Sequence, residues 1–581
     1  MYFLTRRLAF SFLRIAVILT AVMLLGSCNK DDLVGYVYKP IISFDDNPSG
    51  IYTVKPGHEL TLAPTITYGE GAEIEWIMDG EVVCRDRVWT RRWTEEGTFY
   101  ATCCATNAAG TAHEEVRIDV TGATPPGISL AVSEEGLVMT PGMERLLEPV
   151  FSHDSDDEGF AVSWLLDGQE VSADRTYIFK ASQTGRFTLE LRASNADGSN
   201  SLTIPITVTE TLPCSIRFIP LSLQADPQWR YALAGRPLWL EVAVTNYAGQ
   251  PVEWRVNGIL ADETSPLFRF TPPAAGDYLL EASADSETAS LTVRSISADE
   301  SSILRRGSSE GFTVNEWMPA PGQFIGDRSS VGGMDTEITD MAAAVSWAQK
   351  RLDDRKFVSL GSWGGYLIAR FDRSIVNTGG NDFAIMGNAI DTSCEPGTVW
   401  VMQDINGNGI PDDDQWLMLN GSDSFAPSTI RAYSATYYPP QGTGLPVSWT
   451  DNQGATGRVD YIGGSHDQPS YFPAWAAGPL TFYGLRLQPR GVQDPVTGFW
   501  SNGPFGWGYA DNLGSDLLQG GDTTTGAGQW TAFRIANAVA PDGTPVTLSH
   551  IDFVKIQTAV MATSGRLGEL STEILSLKPL P

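Results

Sequence analysis

The chain predicts a mostly β protein: three tandem β-sandwiches followed by one larger β-sandwich that carries at least one helix. Three observations lead there. The 581 residues include 58 glycines and 35 prolines, and 42% are hydrophobic; that is enough apolar material for real cores, punctuated as strands and turns are. A tryptophan-centred motif recurs three times at nearly constant spacing before residue 300. Beyond residue 312 the repeat stops and a long, strand-rich segment takes over.

The first segment, 1–27, reads as a leader. Arg6, Arg7 and Arg14 precede an apolar run of 11 residues from Ile15 to Leu25. A bilayer-spanning helix needs roughly 20 apolar residues, so the run fits a signal-peptide core instead. It ends at Leu25-Gly26-Ser27-Cys28, which resembles the lipobox of bacterial lipoproteins. The resemblance implies that Cys28 carries the lipid, tethered through 28–39 to an outer membrane. Asn29-Lys30-Asp31-Asp32 follows and is similar to the export tag of Bacteroidetes surface lipoproteins, which implies display on the cell exterior.

Three units follow, at 40–122, 123–210 and 211–297. Each contains a Trp strand that runs into a turn dipeptide: Trp76-Ile-Met-Asp-Gly80, Trp164-Leu-Leu-Asp-Gly168 and Trp254-Arg-Val-Asn-Gly258. The tryptophans are 88 and 90 residues apart. Asp-Gly and Asn-Gly supply the positive φ of a tight hairpin turn. Gly97, Gly185 and Gly276 come 21, 21 and 22 residues after each Trp and open alternating strands. Such a unit suits an immunoglobulin-like sandwich whose Trp packs between two sheets. The repeats resemble PKD-like domains of bacterial surface proteins, with that family's motif reduced to Trp-x-x-Asp-Gly. They are expected to form a stalk.

A polar linker, 298–312, precedes the last domain, 313–581. Its one good helix candidate runs from Asp340 to Leu352: Asp340 caps the start, alanines favour the interior, and Lys350 and Arg351 suit the C-terminal dipole. Strands are expected at 365–371, 382–386, 398–403, 480–487 and 551–557. Strands with long loops over this length predict a jelly-roll-like sandwich.

Charge and cysteine usage narrow the partners. The chain holds 39 basic and 69 acidic residues, so it repels nucleic acid and anionic head groups, which makes both poor partners, and it attracts cations. The cysteines are 28, 84, 103, 104, 214 and 394. Without Cys28 an odd number remains, which argues against a full disulfide framework; Cys84 is placed where it could pair with Cys103 or Cys104, and Cys214 and Cys394 are expected to be buried free thiols.

The sharpest chemical motif is Asp404-Ile-Asn406-Gly-Asn408-Gly409-Ile410-Pro-Asp412-Asp413-Asp414. Calcium takes six to eight oxygens, and a loop offers them from positions 1, 3, 5, 7 and 9 around a glycine at 6. Here those are Asp404, Asn406, Asn408, the Ile410 carbonyl and Asp412, with Gly409 at the turn. The loop resembles calcium loops of the EF-hand, dockerin and thrombospondin type-3 kinds, and calcium is the expected structural cofactor. Position 12, where those loops have a carboxylate, holds Gln415. Asp413, Asp414 or a residue of another loop must then close the shell. Strand-like flanks predict that the loop staples a β-hairpin.

Several phrases of the last domain resemble a recurrent C-terminal domain of Bacteroidetes surface lipoproteins: Leu360-Gly-Ser-Trp-Gly-Gly-Tyr366, Asn381-Asp-Phe383, Gly387-Asn-Ala389, Glu395-Pro-Gly397, Phe505-Gly-Trp-Gly-Tyr-Ala-Asp-Asn512, Ile551 to Ala559, and Gly568-Glu-Leu-Ser-Thr-Glu573. The resemblance implies a companion of outer-membrane uptake that captures a small ligand, cobalamin being the one associated with the group, for a TonB-dependent transporter. The domain holds ten of the 17 tryptophans. Trp363, Trp475, Trp500, Trp507 and Trp530 sit beside small or polar residues and are the candidate platforms for a corrin ring or a sugar. No Gly-x-Ser-x-Gly elbow, phosphate loop or His-Glu-x-x-His occurs, which disfavours an enzyme. Three functions are expected in this order: a ligand-capturing surface lipoprotein, a carbohydrate-binding or adhesive lipoprotein, and a glycan-cleaving enzyme.

Overall fold

A computed structural model describes residues 37–581, apart from 123, 134, 156–158, 248, 298, 330–331, 335–337, 465 and 519–527. Cys28 and the acidic tag after it lie outside the described residues.

Each repeat is a sandwich built around its tryptophan. In the first, a five-stranded sheet runs in the order Ile51–Val54, Gly110–Val120, Gly97–Asn107, Glu73–Met78, Glu81–Cys84. The same order recurs in the second and third repeats. In all three the first of these strands lies parallel to the last long strand, as with Ile51 beside Arg117, Leu137 beside Ile206 and Trp229 beside Thr292. Trp76, Trp164 and Trp254 are fully buried between the sheets. Each indole N–H donates to a backbone carbonyl ten or eleven residues on, of Asp86, Asp174 and Ser265, at 3.2, 2.9 and 2.9 Å. That bond satisfies the one polar atom the ring brings into the core. The turn dipeptides have φ of 52° and 85° at Asp79-Gly80, 49° and 80° at Asp167-Gly168, and 51° and 78° at Asn257-Gly258. Two successive positive φ values match the right-handed twist of the strands they join.

The last domain has three layers. Its central sheet is antiparallel and six-stranded: Phe312–Met318, Tyr366–Val376, His550–Thr558, Gly397–Met402, Leu417–Leu419, Ala538–Val539. Alternating residues feed two cores. Leu367, Ala369, Val399, Val401, Val554 and Ile556 face the helix Met341–Asp353 and the sheet containing Phe383 and Ile385. Tyr366, Ile368, Met402 and Phe553 face a four-stranded sheet carrying Tyr433, Tyr437, Val447 and Phe482. The expected sandwich is therefore present with a third layer added. The Asp340 side chain caps the helix by accepting the Ala343 N–H at 2.8 Å.

Cys84 does not pair with Cys103 or Cys104; all three are free thiols. Trp76 is register-paired with Cys84 on one side and Cys103 on the other. Two inter-strand spacings separate those cysteines, roughly 9–10 Å, beyond the Cα separation of about 7 Å that a disulfide spans. Cys104 points to the opposite face, where its Sγ lies 3.1 Å from His113 Nδ1. Cys214 and Cys394 are buried and free.

The repeats do not form a stalk; all three pack against the last domain. Arg117 of the first pairs with Asp467 at 3.1 Å. Ile128 of the second exchanges two backbone hydrogen bonds with Gln441, at 3.1 and 3.0 Å. The third inserts Leu221 into the core beneath the four-stranded sheet, with Leu223 and Ala225 beside it.

Candidate functional site: an oxygen-lined loop at an interdomain cleft

Residues 404–415 connect Gly397–Met402 to Leu417–Leu419, which are hydrogen-bonded neighbours in the central sheet. The loop thus closes a β-hairpin. Its fold is set by short-range bonds. Asp404 Oδ2 accepts the Gly409 N–H at 3.0 Å, Asn406 Oδ1 the Asn408 N–H at 2.8 Å, and Asn408 Oδ1 the Ile410 N–H at 2.7 Å. The Asp412 carboxylate accepts both Asn406 and Asn408 amide groups at 3.0 Å. Gly409 has φ of 75°, a left-handed conformation that favours glycine, and a Cβ there would also displace the Arg370 guanidinium.

The three acids that end the loop diverge. Asp414 turns outward and pairs with Arg236 of the third repeat at 2.5 Å. Asp412 stays with the two asparagines. Asp413 turns inward, fully buried, and neither of its carboxylate oxygens makes a well-formed hydrogen bond, although the Ile405 amide lies close; Asp404 Oδ1 is likewise buried without one. Burial, then the carboxylates of Asp412, Asp404 and Asp414, push the Asp413 pKa up to about 9, with the Ile405 amide opposing. Burial and Asp552 also raise Asp404. Oxygen donors alone, carboxylate-rich and dry, suit a hard cation such as calcium. Asp413, not Asp414, is the acid available to replace the carboxylate missing at position 12. Gln415 itself is engaged elsewhere, accepting the Trp239 N–H at 2.7 Å.

A cleft of about 460 Å³ opens beside this loop, between the third repeat and the last domain. Arg236, Trp239 and Arg269 line one wall; Asp414, Gln415, Asp542 and Leu548 line the other. The Arg269 guanidinium lies 5.4 Å from the Trp239 ring centre, and the Trp239 indole N–H donates to Asp542 at 3.3 Å.

The five tryptophans singled out in the sequence do not converge there. Trp363 is fully buried and donates to the Leu485 carbonyl at 3.1 Å, so it is a core residue and no platform. Trp475 packs on Trp317 at 5.2 Å. Trp500 belongs to the hairpin strand Trp500–Asn502, and Trp530 lies under Lys578 at 4.2 Å. Trp507 sits in a loop whose backbone bonds Ser422. None of these five is exposed.

Two constellations escaped the sequence reading. Glu395, Asp511 and Glu573 offer carboxylate oxygens all within 4.8 Å of one another. Asp511 accepts the Asn388, Ala389 and Glu573 N–H groups at 2.8, 2.8 and 2.9 Å. It thereby ties together phrases 123 and 62 residues apart, and Gly387-Asn-Ala389, Glu395-Pro-Gly397, Asp511 and Glu573 meet at this junction. The second is Lys555, which lies over the rings of Tyr366, Trp400 and Trp416 at 5.9, 5.3 and 5.1 Å. Burial lowers its pKa to about 7, with Glu316 opposing. Only their spatial neighbours reveal either group, so no local signal marks them.

A family model described as a PKD-like domain matches residues 125–195, within the second repeat. Among solved structures, the titin I-band fragment I67-I69 is similar at 17% identity, covering 45% of this chain and 99% of its own, with a TM-score of 0.14. The N-terminal four Ig domains of Dscam1 isoform 6.9 match at 16% identity over 43% of this chain and 71% of theirs, TM-score 0.14. Fibronectin(III)-like modules of Clostridium thermocellum CbhA match at 16% over 29% and 94%, TM-score 0.17. At those scores the immunoglobulin-like character of the repeats rests on their own sheets. No curated protein sequence matches the chain.

Proposed function

We propose that this protein is a surface-displayed binding protein, lipid-anchored at Cys28 to the outer membrane and facing the exterior, that takes a small polar ligand in the cleft between its third repeat and its last domain. Tandem Ig-like and PKD-like repeats fit a surface or adhesive-type protein. The observation that carries the ligand reading is the cleft itself. Small-molecule sites favour domain interfaces, volumes of about 300–1,000 Å³ and an apolar face with a few converging polar groups. The exposed Arg269, lying over the largely buried Trp239, and Asp542 across from it supply converging polar groups. At 460 Å³ the cleft suits one or two sugar rings better than a whole corrinoid, which puts carbohydrate recognition ahead of cobalamin delivery to a transporter. Calcium in the 404–413 loop is the cofactor of this reading, structural in role. The reading includes no catalytic step.

Calorimetric titration of the full chain, in calcium, with a panel of neutral and acidic mono- and disaccharides and with cyanocobalamin tests it. Saturable binding of one sugar class is expected, weakened about ten-fold or more by Arg269→Ala. Binding untouched by that substitution moves the site elsewhere. Tight binding of cyanocobalamin alone restores vitamin capture, and release of reducing sugar makes the protein an enzyme.

A further inference from the structure

We propose that a divalent cation held by residues 404–413 is what clamps the third repeat onto the last domain, so that cation occupancy and the shape of the interdomain cleft are one equilibrium. The proposal rests on the reading of this loop as a calcium site. Two sets of contacts share a four-residue stretch. On its inner side, Asp412 and Asp413 face Asp404, and the buried oxygens of Asp413 and Asp404 Oδ1 have no well-formed hydrogen bond, the Ile405 amide being the donor near Asp413. A cation supplies what those atoms lack. On the outer side, the same stretch bonds the third repeat by its backbone. The Tyr231 N–H donates to the Asp412 carbonyl at 3.3 Å, and the Asp414 N–H donates to the Tyr231 carbonyl at 2.7 Å. Asp414 then pairs with Arg236, and Gln415 accepts the Trp239 N–H.

Emptying the loop leaves the buried oxygens of Asp413 and Asp404 Oδ1 without the partner that would offset their desolvation. Reaching water satisfies them, and the segment must move to do so. The segment relaxes outward, and residues 412–415 cannot keep their register with Tyr231 while doing so. Coupling of this kind is reciprocal: whatever docking gains from the cation, the cation gains from docking. That yields a sign test. Arg236 carries positive charge beside the loop, so by electrostatics alone its removal tightens cation binding. By the clamp, its removal loosens docking and weakens cation binding.

The experiment is calcium titration of the full chain, wild type and Arg236→Ala, with amide hydrogen exchange in calcium and in chelator. The clamp predicts that the Tyr231, Trp239 and Asp414 amides exchange about ten-fold or more faster without calcium. It also predicts that Arg236→Ala lowers calcium affinity about five-fold or more, and that Asp413→Asn abolishes both binding and protection. If wild type binds no calcium, the loop reading fails and the clamp with it. If calcium binds but exchange at the three amides is unchanged, or Arg236→Ala binds it more tightly, the clamp is overturned and the calcium site stands.

Discussion

At the scale of single residues, burial decides roles that residue type leaves open. Trp164 fills the second repeat and spends its indole N–H on Asp174. Trp164→Ala is expected to cost that repeat about 3–5 kcal/mol, seen as an early step in thermal unfolding followed by calorimetry. Glu569 shows the electrostatic counterpart. One of its oxygens accepts the Gln323 N–H at 2.8 Å and the other is buried without a partner. Burial is the main cause raising its pKa from 4.5 to about 8. The folded state therefore holds a proton that the unfolded chain gives up. Stability from this group is present below pH 4.5 and is lost as pH rises to about 8. In Glu569→Gln, Tm measured across that window should fall less steeply than in the wild type. Trp363 was legible as a tryptophan among glycines, which suggested a loop; its glycines serve close packing instead, since a Cβ at Gly364 would meet Phe482.

At the scale of elements, local chemistry wrote most of what is seen. The Asp-Gly and Asn-Gly hairpins adopt the expected positive φ, and the helix begins at its Asp340 cap. The 404–415 loop joins the two strands expected of it. Which acid closes that loop was not legible, because Asp413 and Asp414 differ only in what lies opposite each side chain. The cysteines make the same point. Cys84 and Cys103 flank Trp76 from the two neighbouring strands, a register invisible in spacing. Peptide mapping without reductant is expected to find no cross-link among Cys84, Cys103 and Cys104; a Cys84–Cys103 peptide would contradict this strand order.

At the scale of the whole molecule, the repeats brace a central domain. Arg117 with Asp467, Ile128 with Gln441, and Leu221 in the domain core secure them one by one, while Lys55 and Asp197 join the first repeat to the second at 2.8 Å. Small-angle scattering should give a compact particle, with a radius of gyration near the roughly 24 Å that a globule of this length implies, not the much larger value of a string of modules. These anchors are unequal. The partly exposed Arg117 pair is worth about 1 kcal/mol or less, so Arg117→Ala should leave the scattering curve unchanged. The third repeat buries apolar side chains and pairs with the 412–415 stretch, and its release should expand the particle.

The sequence by itself determined the strands, the turns, the repeat and the spacing of oxygen-bearing side chains in the 404–414 loop, because each depends on neighbours a few residues away. Alternation sets the buried face of a strand, a positive-φ dipeptide sets a hairpin, and ligand spacing sets a loop. Only the tertiary structure decided that Asp413 faces the loop while Asp414 faces Arg236, that Trp363 is core, that Cys84 stays free, and that Glu395, Asp511 and Glu573 meet. Each of those outcomes depends on a partner brought close by packing. Burial and pairing are properties of the surroundings, and the surroundings exist only once the layers have closed.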